Sequence, residues 1–193
     1  MTNDAKALLC SAALLTLPPE KASPQEAALS ALGGDRRVLE EVATEPELST
    51  FYALLDTVRV EQLFAGNMPK TVLAPVDATF ADMEGATLTD FFREDGRSDL
   101  VTLLSRHLLR GALTRADLEA RIAAAPGGRA SFDTVGSERL VAGLDAQGLW
   151  FAIGAAEVDP PAAARIYLTG EEVVTDNGVL HQVTGLLKPA DGS

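Results

Sequence analysis

Across 193 residues the sequence has a single cysteine, Cys10, only two histidines, and aromatic residues at 5%. One cysteine permits neither a disulfide framework nor a cysteine zinc cluster, so cysteine usage is silent on the redox compartment. His107 and His181 form no H-x-x-x-H pair, and without a C-x-x-C there is no preformed set of metal ligands. Basic residues are scarce as well, 16 against 28 acidic, which leaves a formal net charge of −12. Such a surface repels nucleic-acid phosphates and anionic lipid, and no basic stripe interleaves with aromatics to stack single strands. The G-x-S-x-G elbow is missing, and Gly127-Gly128 lacks both the Walker and the dinucleotide spacing. No Asn-x-Ser/Thr sequon occurs, and Arg110-Gly111 is followed by Ala112, not by the aspartate of an adhesive tripeptide.

What is present is 47% hydrophobic content, enough for one compact domain carrying a short extension. The extension is residues 1–35. Its apolar run Ala7 to Leu17, after Lys6 and before Pro18-Pro19, has the length of a signal-peptide core and is too short to span a bilayer. Asp4 offsets Lys6, and the best cleavage point, after Ala22, has Glu20 where a small residue is wanted. A signal peptide over 1–22 and an N-terminal helix packed on the domain both stay open. Ser23-Pro24-Gln25-Glu26 then starts a linker helix that Gly33-Gly34 ends.

A second helix start lies at Asp35. A third, near Ser49, sets Phe51, Leu54, Leu55 and Val58 at i, i+3, i+4 and i+7, one buried stripe. A short helix through Glu61 to Phe64 closes at Gly66, and TVLAP, 71–75, reads as a strand stopped by Pro75, with Asp77 placed to cap the next turn. From Thr89 the pattern is helical again up to Gly111, with Leu100, Leu103, Leu104 and His107 on one face. Thr114, with Asp117 three residues on, starts another helix that ends at Pro126 and the following glycines. Beyond it the segments 130–134, 139–144, 149–153, 164–168, 171–175 and 179–187 are short, β-branched or aromatic, and separated by turn residues. Helices ahead of antiparallel strands define an α+β domain rather than a parallel doubly wound sheet.

Candidate chemistry is thin. Glu171-Glu172 with Asp176 resembles a carboxylate dyad only by proximity in sequence, and acidic pairs beside turns are ordinarily solvated. His107, on an apolar helical face, reads as a satisfied core or interface residue. His181 alternates with Val179 and Val183 and is expected at a half-buried edge. Asn177-Gly178 reads as a two-residue hairpin turn requiring positive φ at both positions. Trp150 and Phe151, inside an apolar run, read as core.

TVLAPVDATF (71–80), LLSRHLLRG (103–111) and VVTDNGVLHQVTGLLKP (173–189) stand in an order and spacing that resemble the fasciclin-like domains. With the helices in front, the resemblance covers 38–189 and places the domain at 36–190. The residues that carry it are Thr71, Ala74, Pro75, Phe80, Asn177, Gly178, His181 and Pro189. It implies an antiparallel β-wedge or sandwich flanked by several helices, no enzymatic activity, no cofactor, and a binding or adhesion role toward a protein or a cell-envelope or matrix partner. It also implies a secreted, periplasmic or cell-surface bacterial protein, a cytoplasmic location being the alternative. By the same resemblance the partner-contacting segment is Arg106, His107 and Leu108, although Arg106 replaces the family's tyrosine, Glu172 its usual aspartate, and Thr184-Gly185 an Ile-Asp pair. Two other functions stay open: a carrier of an apolar molecule such as a carotenoid, and a hydrolase pairing a histidine with an acidic residue.

Overall fold

A computed structural model describes residues 38–58, 68–81, 93 and 96–187. The leader and linker-helix readings, the helix start at Asp35, the helix at 61–64 and Pro189 lie outside these residues. Helix α1 covers 38–44, and α2, Ser49–Thr57, follows a single turn of 3-10 helix at Pro46–Leu48. Strand β1 is Lys70–Pro75, with α3 at Asp77–Ala81, α4 at Arg97–Arg106, β2 at Leu108–Arg110 and α5 at Arg115–Ala124. The strands β3 Arg129–Asp133, β4 Arg139–Asp145, β5 Gly148–Ile153, β6 Ile166–Thr175 and β7 Gly178–Val183 complete the chain.

The sequence stripe of α2 is the buried one: Phe51, Leu54, Leu55 and Val58 all face the core. Its N-terminus is held from outside the helix, since the Asp77 carboxylate accepts the Ser49 hydroxyl at 2.6 Å and the Thr50 N–H at 2.8 Å. Asp77 therefore opens α3 by position but caps α2 by side chain, a contact across 27 residues that no local pattern announces. Burial raises its pKa, and the bonds from Ser49 and Thr50 outweigh that and hold the carboxyl below its ordinary value. Helix α5 starts as its sequence requires, in a capping box in which Thr114 and Asp117 bond reciprocally.

Of the helical reading of 89–111 the described residues show helix over Arg97–Arg106. There His107 caps α4, and Leu108–Arg110 switches to a strand buried at its first two residues and exposed at the third. Three residues are too few to display a period of two in sequence. The two strands expected at 164–168 and 171–175 are one, β6, with an irregularity between Thr169 and Val173 and Gly170 at φ +67° in place of a turn.

The sheet runs β2-β1-β7-β6-β5-β4-β3. Its strands pair antiparallel except β1 and β7, which are parallel, so the sheet is mixed. It curls until Leu109 of β2 bridges Thr134, just past β3, and the Val135 N–H donates to the Leu108 carbonyl at 2.7 Å. All seven strands send side chains into the enclosed core: Leu73, Leu109, Phe132, Leu140, Phe151, Ile166 and Val183, one from each, pack together. Leu118 and Ile122 of α5 close one side of this core. The opposite face of β1, β2 and β7 carries Val72, Ala74, Leu108 and Leu180 and is covered by α1, α2 and α4 and by Phe80. A third small cluster, Val141, Trp150 and Ala152, lies on the outer face of β4 and β5. Trp150 and Phe151 are core residues as expected, on opposite faces of one strand.

The turn between β6 and β7 is one residue earlier than the Asn-Gly pair suggests. Thr175 pairs with Gly178, which leaves Asp176 and Asn177 as the turn, and Gly178 belongs to β7 without a left-handed φ. Glycine is needed there for approach: a Cβ would collide with the Lys70 carbonyl oxygen of β1. Backbone cannot yield as a side chain can, so Gly178→Ala is expected to destabilise the fold by about 3 kcal/mol. Removing the remote cap with Asp77→Ala is expected to cost about 1 kcal/mol. Urea denaturation of both variants checks the order.

Candidate functional site

Strand β1 carries the site. Thr71 stands opposite Val179 and Leu73 opposite His181 in the parallel pair, while Thr71 faces Leu109 across β2. The first and last motifs and the segment between them are thus neighbouring strands. Buried Thr71 donates its hydroxyl to the Gly111 carbonyl at 2.7 Å and accepts the Leu113 N–H at 2.8 Å, fixing the connection from β2 to α5. His181 holds the same connection from β7, its Nε2–H donating to the Leu113 carbonyl at 2.8 Å. Glu172 of β6 accepts the Arg115 N–H at 2.6 Å, placing a carboxylate at the first turn of α5, where the helix dipole favours it. Three strands thereby grip one helix entrance.

His181 is buried on a strand bonded on both sides, not at an edge. Glu172 lies 3.9 Å from its Nε2, beyond hydrogen-bond reach, because Nε2 is already turned to Leu113. Burial lowers the His181 pKa, against the opposing influence of the Leu113 bond and the Glu172 charge. His107 belongs to a different layer. Its ring is tilted against Phe51, with centroids 6.2 Å apart, among the helices. Its Nδ1–H donates to the Leu103 carbonyl at 2.9 Å, and Nε2 accepts the Leu187 N–H at 3.2 Å. That pairing needs a neutral ring: a proton on Nε2 would confront the Leu187 N–H. Burial, aided by the Arg106 charge, outweighs the Leu103 bond and lowers the His107 pKa to about 4.

The segment expected to contact a partner is internal at two of its three positions. His107 and Leu108 are fully buried, and contact requires exposed atoms, so they act inside the framework. Arg106 keeps some surface but is clasped by Glu138 through both Nε and a terminal nitrogen. That clasp joins α4 to the loop after β3, where Thr134 donates to the Glu138 carbonyl at 2.6 Å and Arg110 to the Thr134 carbonyl at 3.0 Å. Of the other motif residues, Ala74 and Phe80 are core, Pro75 ends β1, and Asn177 accepts the Thr175 hydroxyl at 2.8 Å. Glu138, Leu113 and Arg115 escape sequence reasoning, and Glu172 is singled out there without its role, because their partners lie 32 to 68 residues away.

Chemically the arrangement is a framework. The two imidazoles do not share a cavity, and the Thr71 hydroxyl is spent on backbone groups. Among the described residues no three His, Cys, Asp or Glu side chains are grouped to hold a metal ion.

A curled mixed sheet with a helical layer on one face and buried polar clamps between its strands defines a class of α+β domains. The chain matches the Fasciclin domain over residues 46–189 and belongs to that family. It is similar in fold to the solved structure of a FAS1 domain pair from the insect cell adhesion molecule fasciclin I, at a TM-score of 0.64 and 18% identity. That alignment covers 79% of this chain and 50% of the other, so the chain spans half the length of that structure. No curated protein matches the chain.

Protonation of the clamps gives a pH prediction. The folded pKa of His107 is about 4 and its ordinary value 6.5, so below pH 6.5 the unfolded chain binds the proton and the folded chain does not. Stability from this residue is complete above pH 6.5 and is lost as pH falls toward 4, by up to about 3 kcal/mol. His181 adds a loss of the same sign. Denaturation midpoints between pH 7.5 and pH 4 are expected to fall more steeply in the natural chain than in His107→Gln.

Proposed function

We propose that this chain is a noncatalytic binding module of adhesion type, presented outside the cell, that meets a protein partner through its exterior. The observation that carries the reading is the complete commitment of both His107 ring nitrogens, and of His181 Nε2, to backbone groups in two separate layers. General-base chemistry needs an imidazole free to take a proton near the working pH, and burial holds both rings neutral. The family match and the likeness to a cell adhesion molecule support the same reading. Among the described residues no helix is long and apolar enough to cross a membrane.

Contact is made by exposed side chains on the rigid scaffold, and the net charge of −12 steers the module toward partners with a basic rim. Within the segment 106–108 the partner-facing atoms are those of Arg106.

His107→Ala and His181→Ala are expected to lower unfolding free energy by about 2 to 4 kcal/mol each, through lost bonds and the cavity left behind. Immobilised chain is expected to retain a cell-envelope or extracellular protein saturably and release it as salt rises. Ester or peptide turnover that vanishes in either histidine variant while its melting temperature is unchanged would overturn the reading.

A further inference from the structure

We propose that residues 154–165, the connection from β5 to β6, form a charge-latched strap that opens as a local unit and uncovers an aromatic face on the outside of the barrel. Trp150 is the chain's single tryptophan and is only 3% exposed, yet it does not point into the barrel. It lies on the outer face of the sheet with Val141 and Ala152, beside Tyr167. Beneath the indole is Gly143, directly opposite on β4, where a Cβ would come within 2.5 Å of the ring. Above it is the strap: the Arg165 guanidinium stands 4.6 Å from the ring centroid, and Ala156 packs alongside.

Polar contacts near the surface hold this cover down. Arg165 donates to Asp145 at 3.0 Å, to Asp159 at 3.1 Å and to the Pro160 carbonyl, while Arg129 donates to the Ala156 carbonyl at 2.9 Å and pairs with Asp159 at 3.7 Å. Two arginines thus converge on Asp159, whose side chain is 62% exposed. The sheet gives the strap little anchorage. Strands β5 and β6 are registered only at Trp150–Tyr167 and Phe151–Ile166, whereas β4 and β5 pair along their full length. Apart from Pro160 the strap is largely exposed, with Val158 at 65%. A segment held by ion pairs that meet at the exposed Asp159, and by little buried apolar surface, lies at the low end of local stability, while the barrel beneath it is closed by side chains from every strand.

Opening lifts Arg165 from the indole and turns a sealed face into an accessible one flanked by two guanidiniums. The closed form presents Val158 and Pro161 instead. The use of such a change in recognition rests on the binding-module reading; the opening itself does not, and it is measurable with no partner present.

The test is hydrogen exchange on the full chain, read at the Gly154 amide, which bonds outside the strap to the Arg139 carbonyl, and at the Ala164 and Arg165 amides, whose bonds to the Pro161 and Ala162 carbonyls form the turn that the Arg165 ion pairs brace. With Asp159→Asn these amides are expected to exchange about two- to tenfold faster while β1 and β7 amides keep their rates. Acrylamide quenching of Trp150 is expected to rise in step. In the natural chain the same shift is expected on going from about 0.05 M to about 1 M sodium chloride, which screens the exposed Asp159 latch. The salt series decides the matter should the variant lose global stability. Unchanged strap rates in high salt, or strap amides that exchange only together with β1 and β7, would overturn the proposal.

Discussion

The structure depends on how closely β1 lies against β7. Strand β1 is buried over its whole length, bonded in parallel to β7 on one side and antiparallel to β2 on the other. Backbones so placed leave no room for a Cβ at Gly178, where the Lys70 carbonyl approaches. The Asn177 carbonyl accepts the Lys70 N–H at 3.2 Å, and the Leu73 N–H donates to the His107 carbonyl at 2.8 Å, so the backbone bonds of β1 tie the two motifs and the middle segment together. Nothing nearby in sequence supplies those partners. The loop-closure entropy of a contact spanning more than a hundred residues is repaid by burial on both faces of the strand.

Once β1 is seated, the polar clamps have one physical purpose. The connection into α5 passes through buried Leu113, whose N–H and C=O cannot reach water, and each of these groups left unpaired would cost a large share of a typical domain's stability. Thr71, His181 and Glu172 satisfy the entrance of α5, while His107 joins the end of α4 to the chain at Leu187. The histidine rings suit this work because a neutral imidazole both donates and accepts in a fixed plane, and burial keeps them neutral. The same burial takes both rings away from the surface.

How much of this was legible in the sequence follows the range of the interaction. The α2 stripe and the Thr114–Asp117 box rest on contacts within a few residues and are where their patterns put them; β1 also lies where its apolar run and Pro75 put it, although its partners are distant. The fold class was legible too, through the three ordered motifs. Strand β2 was hidden because Leu108–Arg110 continues the apolar spacing of α4 and becomes a strand only by pairing with β1. Gly178 was misassigned for a related reason: Asn-Gly is a strong local turn signal, and the demand for glycine came from a strand about a hundred residues earlier. Glu138 carried no signal, and Glu172 stood out only as one acid among several and at a motif position, since a carboxylate beside a turn looks the same whether it is solvated or clasps a helix. Leu108 belongs to the expected contact segment, yet its burial comes from β1 and the helices above it, which that segment does not encode.

The central claim is that the imidazoles are parts of the scaffold, fixed by their backbone partners and held neutral by burial. Nitrogen-15 chemical shifts of the ring atoms across a pH titration test it most directly. The account predicts that His107 shows the neutral pattern with the proton on Nδ1 and keeps it down to about pH 4 in the folded chain. A His107 ring that titrates near its ordinary value of 6.5, or carries its proton on Nε2 at neutral pH, would contradict it.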